Sequence, residues 1–136
     1  MLLKLSHINL YSINPESLAH FLTSIFEIEV YRDKAGGLGF QIEETNFVIH
    51  TSSSHRKRNG ETIFDLSFDE VFNLDEMRNK VEFFKYTSHN DNIQVNAQNE
   101  KILISDIDGR IWRISQYLQN HEIVQSKEKT ENQSLM

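Results

Sequence analysis

The chain has 136 residues, of which 38% are hydrophobic and 25% charged, enough for one folded domain with its own core and too apolar for a disordered chain. A net charge of −6 at pH 7 argues against general affinity for nucleic acid or anionic membranes. With no cysteine, disulfides, thiolate nucleophiles and thiolate metal ligands are excluded.

Strand-like sequence from Leu2 leaves no room for a signal peptide, and no apolar run approaches the ~20 residues of a bilayer span. A cytoplasmic location is therefore expected. Leu3 to Tyr11 alternates, with Leu3, Leu5, His7, Asn9 and Tyr11 on one side and Ile8 and Leu10 on the other, which predicts a first strand. Asn14-Pro15-Glu16 then reads as a helix start, with Asn as cap and Pro at the first helical position. Leu18, Phe21, Leu22 and Ile25 supply its apolar stripe. Three strands follow, over Glu27–Tyr31, Gly39–Glu43 and Asn46–Thr51, the first pair separated by a turn at Lys34-Ala35-Gly36-Gly37.

The basic run His55-Arg56-Lys57-Arg58 sits between serines and Asn59-Gly60 and reads as a solvated loop. Beyond it the order repeats. Thr62–Phe68 alternates as a strand, and Asn73 caps a helix with Leu74, Met77, Val81 and Phe84 on its apolar face. A short strand at Ile93–Val95 precedes a hairpin, Lys101–Ser105 and Ile111–Tyr117, turning at Asp106-Ile107-Asp108-Gly109. The fold class is therefore α+β, two βαβββ modules at about 1–52 and 60–118 sharing one core in a domain over 1–118. The polar stretch 119–136 is expected to be a flexible tail. A ferredoxin-like layer is the alternative, disfavoured because residues 27–51 hold three strand candidates.

The alternation also sorts the two sheet faces. Ile8, Leu10, Phe47, Ile49, Phe64, Leu66, Phe68, Trp112 and Ile114 should face the helices. The opposite face then carries His7, Asn9, Tyr11, His50, Asp65, Ser67, Arg113 and Ser115. A face with polar groups in mid-strand is either open to water or lines a ligand site. Arg113 suits a ligand carboxylate or phosphate, or else an ion pair with Asp65. Asn9, Tyr11, Ser67 and Ser115 would be hydrogen-bonding walls. His20, His55, His89 and His121 show no ligand spacing, and no Gly-rich phosphate loop, nucleophile elbow or Cys/His array is present.

Leu5-Ser6-His7-Ile8-Asn9-Leu10, Pro15 to Leu22, and Asp106-Ile107-Asp108-Gly109-Arg110-Ile111-Trp112 together resemble the vicinal-oxygen-chelate superfamily of glyoxalases, extradiol dioxygenases and bleomycin-resistance proteins. The resemblance spans residues 3 to 117. It implies a cupped, mostly antiparallel eight-stranded sheet with the helices outside and the site inside the cup, often in a homodimer. It also implies metal ligands on the first, fourth, fifth and eighth strands, which fall on His7, His50, Ile63 and Arg113. Isoleucine cannot coordinate and arginine is a fixed cation, so His7 and His50 form an incomplete metal site, with Asp65 as the one acid that could join them.

The function expected is a binding protein for a polar or anionic small molecule, with no cofactor. The alternative is a lyase, isomerase or dioxygenase with a divalent metal (Fe, Mn, Ni or Zn), in which His7, His50 and Asp65 are catalytic. A domain whose pocket has lapsed into a protein contact is the third reading.

Overall fold

Both helices begin where their caps dictate. In the computed structural model, which describes residues 1–53, 63–68, 73–98 and 101–115, Asn14 accepts a hydrogen bond from the Ser17 N–H and opens α1 (Pro15–Phe26). Asn73 accepts from the Asp75 and Glu76 N–H groups and opens α2 (Leu74–Ser88). Each side-chain oxygen satisfies donors that the first helical turn leaves without partners.

The first module runs β1 (Ile8–Ser12), α1, β2 (Val30–Arg32), β3 (Leu38–Ile42) and β4 (Thr45–Thr51). The second repeats it as β5 (Ile63–Ser67), α2, β6 (Gln94–Gln98), β7 (Lys101–Ser105) and β8 (Ile111–Ser115). In each module the strand before the helix lies parallel to the last strand, and the remaining pairings are antiparallel. The result is two mixed four-stranded sheets, ordered β1-β4-β3-β2 and β5-β8-β7-β6.

The eight strands divide, four to each module as expected, into two sheets with β1 and β5 as edge strands, and no ladder joins them among the described residues. One expectation changes. The first strand starts at Ile8, not Leu3: Ile8 pairs with Phe47 of β4, and only Thr45 and Asn46 precede Phe47 on that strand before the β3–β4 turn. Leu2, Leu3 and Leu5 consequently stand 71% to 101% exposed. The basic run 55–58 and the tail 119–136 lie outside the described residues.

The apolar faces behave as the alternation predicts. Leu10, Phe47, Ile49, Trp112 and Ile114 are buried, and Ile8, Phe64, Leu66 and Phe68 pack on them half-buried. Aromatic contacts carry this core across the modules: Phe21 meets Phe84 edge-on at 5.8 Å, Phe47 meets Phe64 at 6.2 Å, and Phe26 meets Trp112 at 5.8 Å. Each such ring contributes about 1.5–3 kcal/mol by burial, so neither sheet has an independent core.

A polar lock joins the modules at one end. The β7–β8 turn, with Gly109 at φ 81°, holds Asp106 fully buried and Arg110 at 3% exposure. Arg110 Nη1 donates to Asp106 Oδ2 at 2.6 Å, and its Nη2 donates to the Tyr11 carbonyl of β1 at 2.6 Å. Asp106 also accepts from the Trp112 indole N–H at 2.8 Å and from the Asp108 and Arg110 backbone N–H groups. Asp108 Oδ1 accepts from the Ile13 N–H at 3.1 Å, so the second module caps the end of β1 twice. Burial pushes the Asp106 carboxyl up, and Arg110, the indole and the two amides pull against that.

Removing one partner of a buried pair strands the other. Arg110→Ala is expected to cost about 3–5 kcal/mol of unfolding free energy, read by urea denaturation with Trp112, the chain's single tryptophan, as the fluorophore. A loss under about 1 kcal/mol, the range of an exposed pair, would show that the lock does not join the modules.

Candidate functional site

The outward faces of the two sheets hold the polar residues, in two separate groups. On the first sheet, the parallel register sets Tyr11 beside His50 and Asn9 beside Val48. His50 Nε2 donates to Asn9 Oδ1 at 2.6 Å, and the Tyr11 and His50 rings stack 5.0 Å apart. That bond fixes the tautomer: in the neutral ring the proton sits on Nε2 and the lone pair on Nδ1.

The same face has two members that alternation did not single out. Gly39 pairs with both Val48 and Tyr31, and a methyl group at Gly39 would meet the Tyr31 ring at 3.0 Å. Glycine therefore lets the half-exposed Tyr31 ring lie down on the sheet. The signal was a glycine opening the expected strand Gly39–Glu43.

On the second sheet, β5 and β8 put Asp65 directly beside Arg113. Arg113 donates through Nε to Asp65 Oδ1 and through Nη2 to Oδ2, the latter at 2.6 Å. The side-on fork holds the Asp65 carboxyl below the usual carboxylate range, with Lys101 adding a smaller pull, and Asp65 raises the Arg113 guanidinium in turn. Ser67 is exposed and Ser115 half-buried on the same strands.

Parity thus placed these side chains on the correct faces, but register changes their company. His7 lies just before β1, exposed, with its Nδ1 3.1 Å from Ser6 Oγ. His50 is opposite Tyr11, four positions further along β1, and an extended chain rises ~3.3 Å per residue. His7 and His50 therefore stand ~13 Å apart in backbone position along the strand. Among the described residues no three His, Asp or Glu side chains gather closely enough to hold a metal ion. His20 packs 5.1 Å from Phe84 and His89 ends α2, while His55 and His121 lie outside the described residues.

A cavity of about 500 Å³ opens elsewhere, at the junction of the modules. Phe26, Ile28, Ile42, Leu66 and Phe68 wall it, with Glu43 and Ser67 as its polar members. Of the residues expected to bind a ligand, Ser67 alone lines it.

No family model and no curated protein sequence matches the chain. Solved structures do. FosX, a fosfomycin resistance protein from Listeria monocytogenes crystallised with Mn(II) and sulfate, superposes with a TM-score of 0.66 at 17% identity, covering 85% of this chain and 91% of its own. FosX from Mesorhizobium loti gives 0.66 at 13% identity, covering 89% and 98%. A Vibrio cholerae integron cassette protein gives 0.59 at 16% identity, covering 86% and 99%. The fold is that of the vicinal-oxygen-chelate proteins.

The donors of this vicinal-oxygen-chelate fold do not suit the metal that the Listeria protein holds. At the positions the resemblance implies, the Ile63 side chain offers no lone pair, and Arg113 brings a permanent cation that is paired with Asp65. Mn(II) favours carboxylate, carbonyl and water oxygens, and no such set converges among the described residues.

The Asp65 shift has a sign. A carboxyl lowered by folding stabilises the protein above its unfolded value of about 3.9, and that stability disappears as pH falls through the lower folded value. The Asp65 carboxyl carbon, followed by NMR, is expected to titrate below the ordinary range in the native protein and to return towards it in Arg113→Ala. An unshifted Asp65 in the native protein would remove the ion pair from solution.

Proposed function

We propose that the protein binds a small polar or anionic molecule, a carboxylate or phosphate-like group, at the Arg113 end of the second sheet, without a metal. One observation carries this reading. The fork grips Asp65 side-on through Nε and Nη2, so Asp65 fixes the guanidinium plane and leaves the Nη1/Nη2 end without a protein partner among the described residues. That end is a second two-donor edge, matched to paired oxygens.

Charge supports it. Lys101 neighbours Asp65, so Asp65, Arg113 and Lys101 sum to one positive charge in a chain of net charge −6. A local positive charge on an acidic protein favours an anion there. Ser67 and Ser115 beside the pair supply hydroxyl donors, and Asn9, Tyr11 and His50 form the hydrogen-bonding wall of the other sheet.

A metal-dependent enzyme using His7, His50 and Asp65 has less behind it, since His7 is spaced away from His50 and Asp65 is committed to Arg113. No helix among the described residues is long and apolar enough to cross a membrane. The protein works, in this reading, as a homodimer. The exposed Leu2, Leu3 and Leu5 and the edge strands β1 and β5 offer a second copy both apolar surface and open backbone groups.

Inorganic phosphate, phosphonoacetate and a dicarboxylate serve as probes in thermal-shift titrations at constant ionic strength. At least one is expected to raise the midpoint in the native protein and to lose that effect in Arg113→Ala. An anion response unchanged in Arg113→Ala, or no response to any probe, would overturn the assignment.

A further inference from the structure

The two modules treat their hairpin turns differently, and the difference creates a site. In the second module the β7–β8 turn spans residues 106–110 and fills the end of β1 with Asp106, Asp108 and Arg110. The corresponding β3–β4 turn of the first module has only Glu43 and Glu44 between strands, with Glu43 at φ 53° to close it. It faces the end of β5, and no buried arginine or aspartate extends from it. The volume filled by the lock at one end of the repeat is the 500 Å³ cavity at the other.

From this geometry we infer that the cavity is a second binding site, for a small apolar molecule carrying an ammonium group. Its size lies within the ~300–1,000 Å³ of ligand pockets, and its make-up is theirs, apolar walls with a few polar groups. Phe26, Ile28, Ile42, Leu66 and Phe68 would take the hydrocarbon part, while the Glu43 carboxylate accepts from the cation.

Charge selects the cation over an acid or a neutral compound. Glu44 follows Glu43, and Glu27 and Glu29 flank Ile28. Among the described residues Lys80 pairs with Glu27, at 3.6 Å. The acidic rim contrasts with the positive Arg113 face, so the two sites would take ligands of opposite sign.

The test uses the full chain and three matched probes: 2-phenylethylamine, 2-phenylethanol and 3-phenylpropanoate. Calorimetry is expected to rank the amine first and to find no binding of the acid. Amide shifts in NMR should localise to Phe26, Ile28, Ile42, Glu43 and Leu66 to Phe68. Glu43→Gln should weaken the amine about tenfold, the size of one charge-assisted hydrogen bond. Leu66→Trp should fill the space and abolish amine binding while leaving the phosphate-type response of Arg113 intact. Shifts elsewhere, equal affinity for amine and acid, no effect of Glu43→Gln, or no binding of the amine to the native chain would each overturn the inference. The NMR map decides the matter even if Leu66→Trp does not fold.

Discussion

Arg110 carries a full positive charge into the interior, held there by its bonds to the Asp106 carboxylate and the Tyr11 carbonyl. Its partner Asp106 is saturated in turn by the guanidinium, the Trp112 indole and two backbone amides. A buried ion pair adds little net stability over an apolar substitute, since desolvation consumes most of the attraction. Its value here is geometric. It is the point at which the second module grips the backbone of the first, through the Tyr11 carbonyl and the Ile13 amide. With domain stabilities near 5–15 kcal/mol, a lock worth ~3–5 kcal/mol on rupture decides whether the modules stay together.

The rest of the molecule follows from where that lock is and where it is absent. Both helices and both apolar sheet faces share one aromatic core, so the polar faces are left outward and cannot serve as packing surfaces. They become two chemically distinct patches: an aromatic, hydrogen-bonding one around Tyr11, Tyr31 and His50, and a charged one around Asp65 and Arg113. The fold allows metal chemistry in a distant likeness with Mn(II) bound, yet fold does not carry function with it. In this chain Arg113 and Ile63 occupy two of the four positions at which the family resemblance implies ligands.

Period-two alternation in the sequence was enough to give the number and order of the strands and the facing of their core side chains, because one face is buried and slippage would expose it. Even so, β2 and β6 run at Val30–Arg32 and Gln94–Gln98 where Glu27–Tyr31 and Ile93–Val95 were expected. The caps at Asn14 and Asn73 were equally legible. Register was not. Whether His50 meets His7 or Tyr11 depends on where β4 begins, and that is set by the length of the preceding turn. Leu3 and Leu5 alternate like the strand they precede, but β4 has almost no residues left to pair with them. The Asp65–Arg113 pair could be named as one of two options because the repeat aligns β5 with β1, while the burial of Arg110 had no signal in a turn that reads as solvent-exposed. Likewise, a cavity caused by a short turn becomes visible only when the two halves are compared in space.

The central claim is that this fold, as this sequence builds it, binds without a metal. Chelator-stripped protein titrated with Mn(II) by calorimetry, alone and with phosphonoacetate, tests it most directly. No stoichiometric Mn(II) binding is expected, and the metal should leave the anion affinity unchanged. One Mn(II) per chain, lost in His7→Ala or His50→Ala, would contradict it.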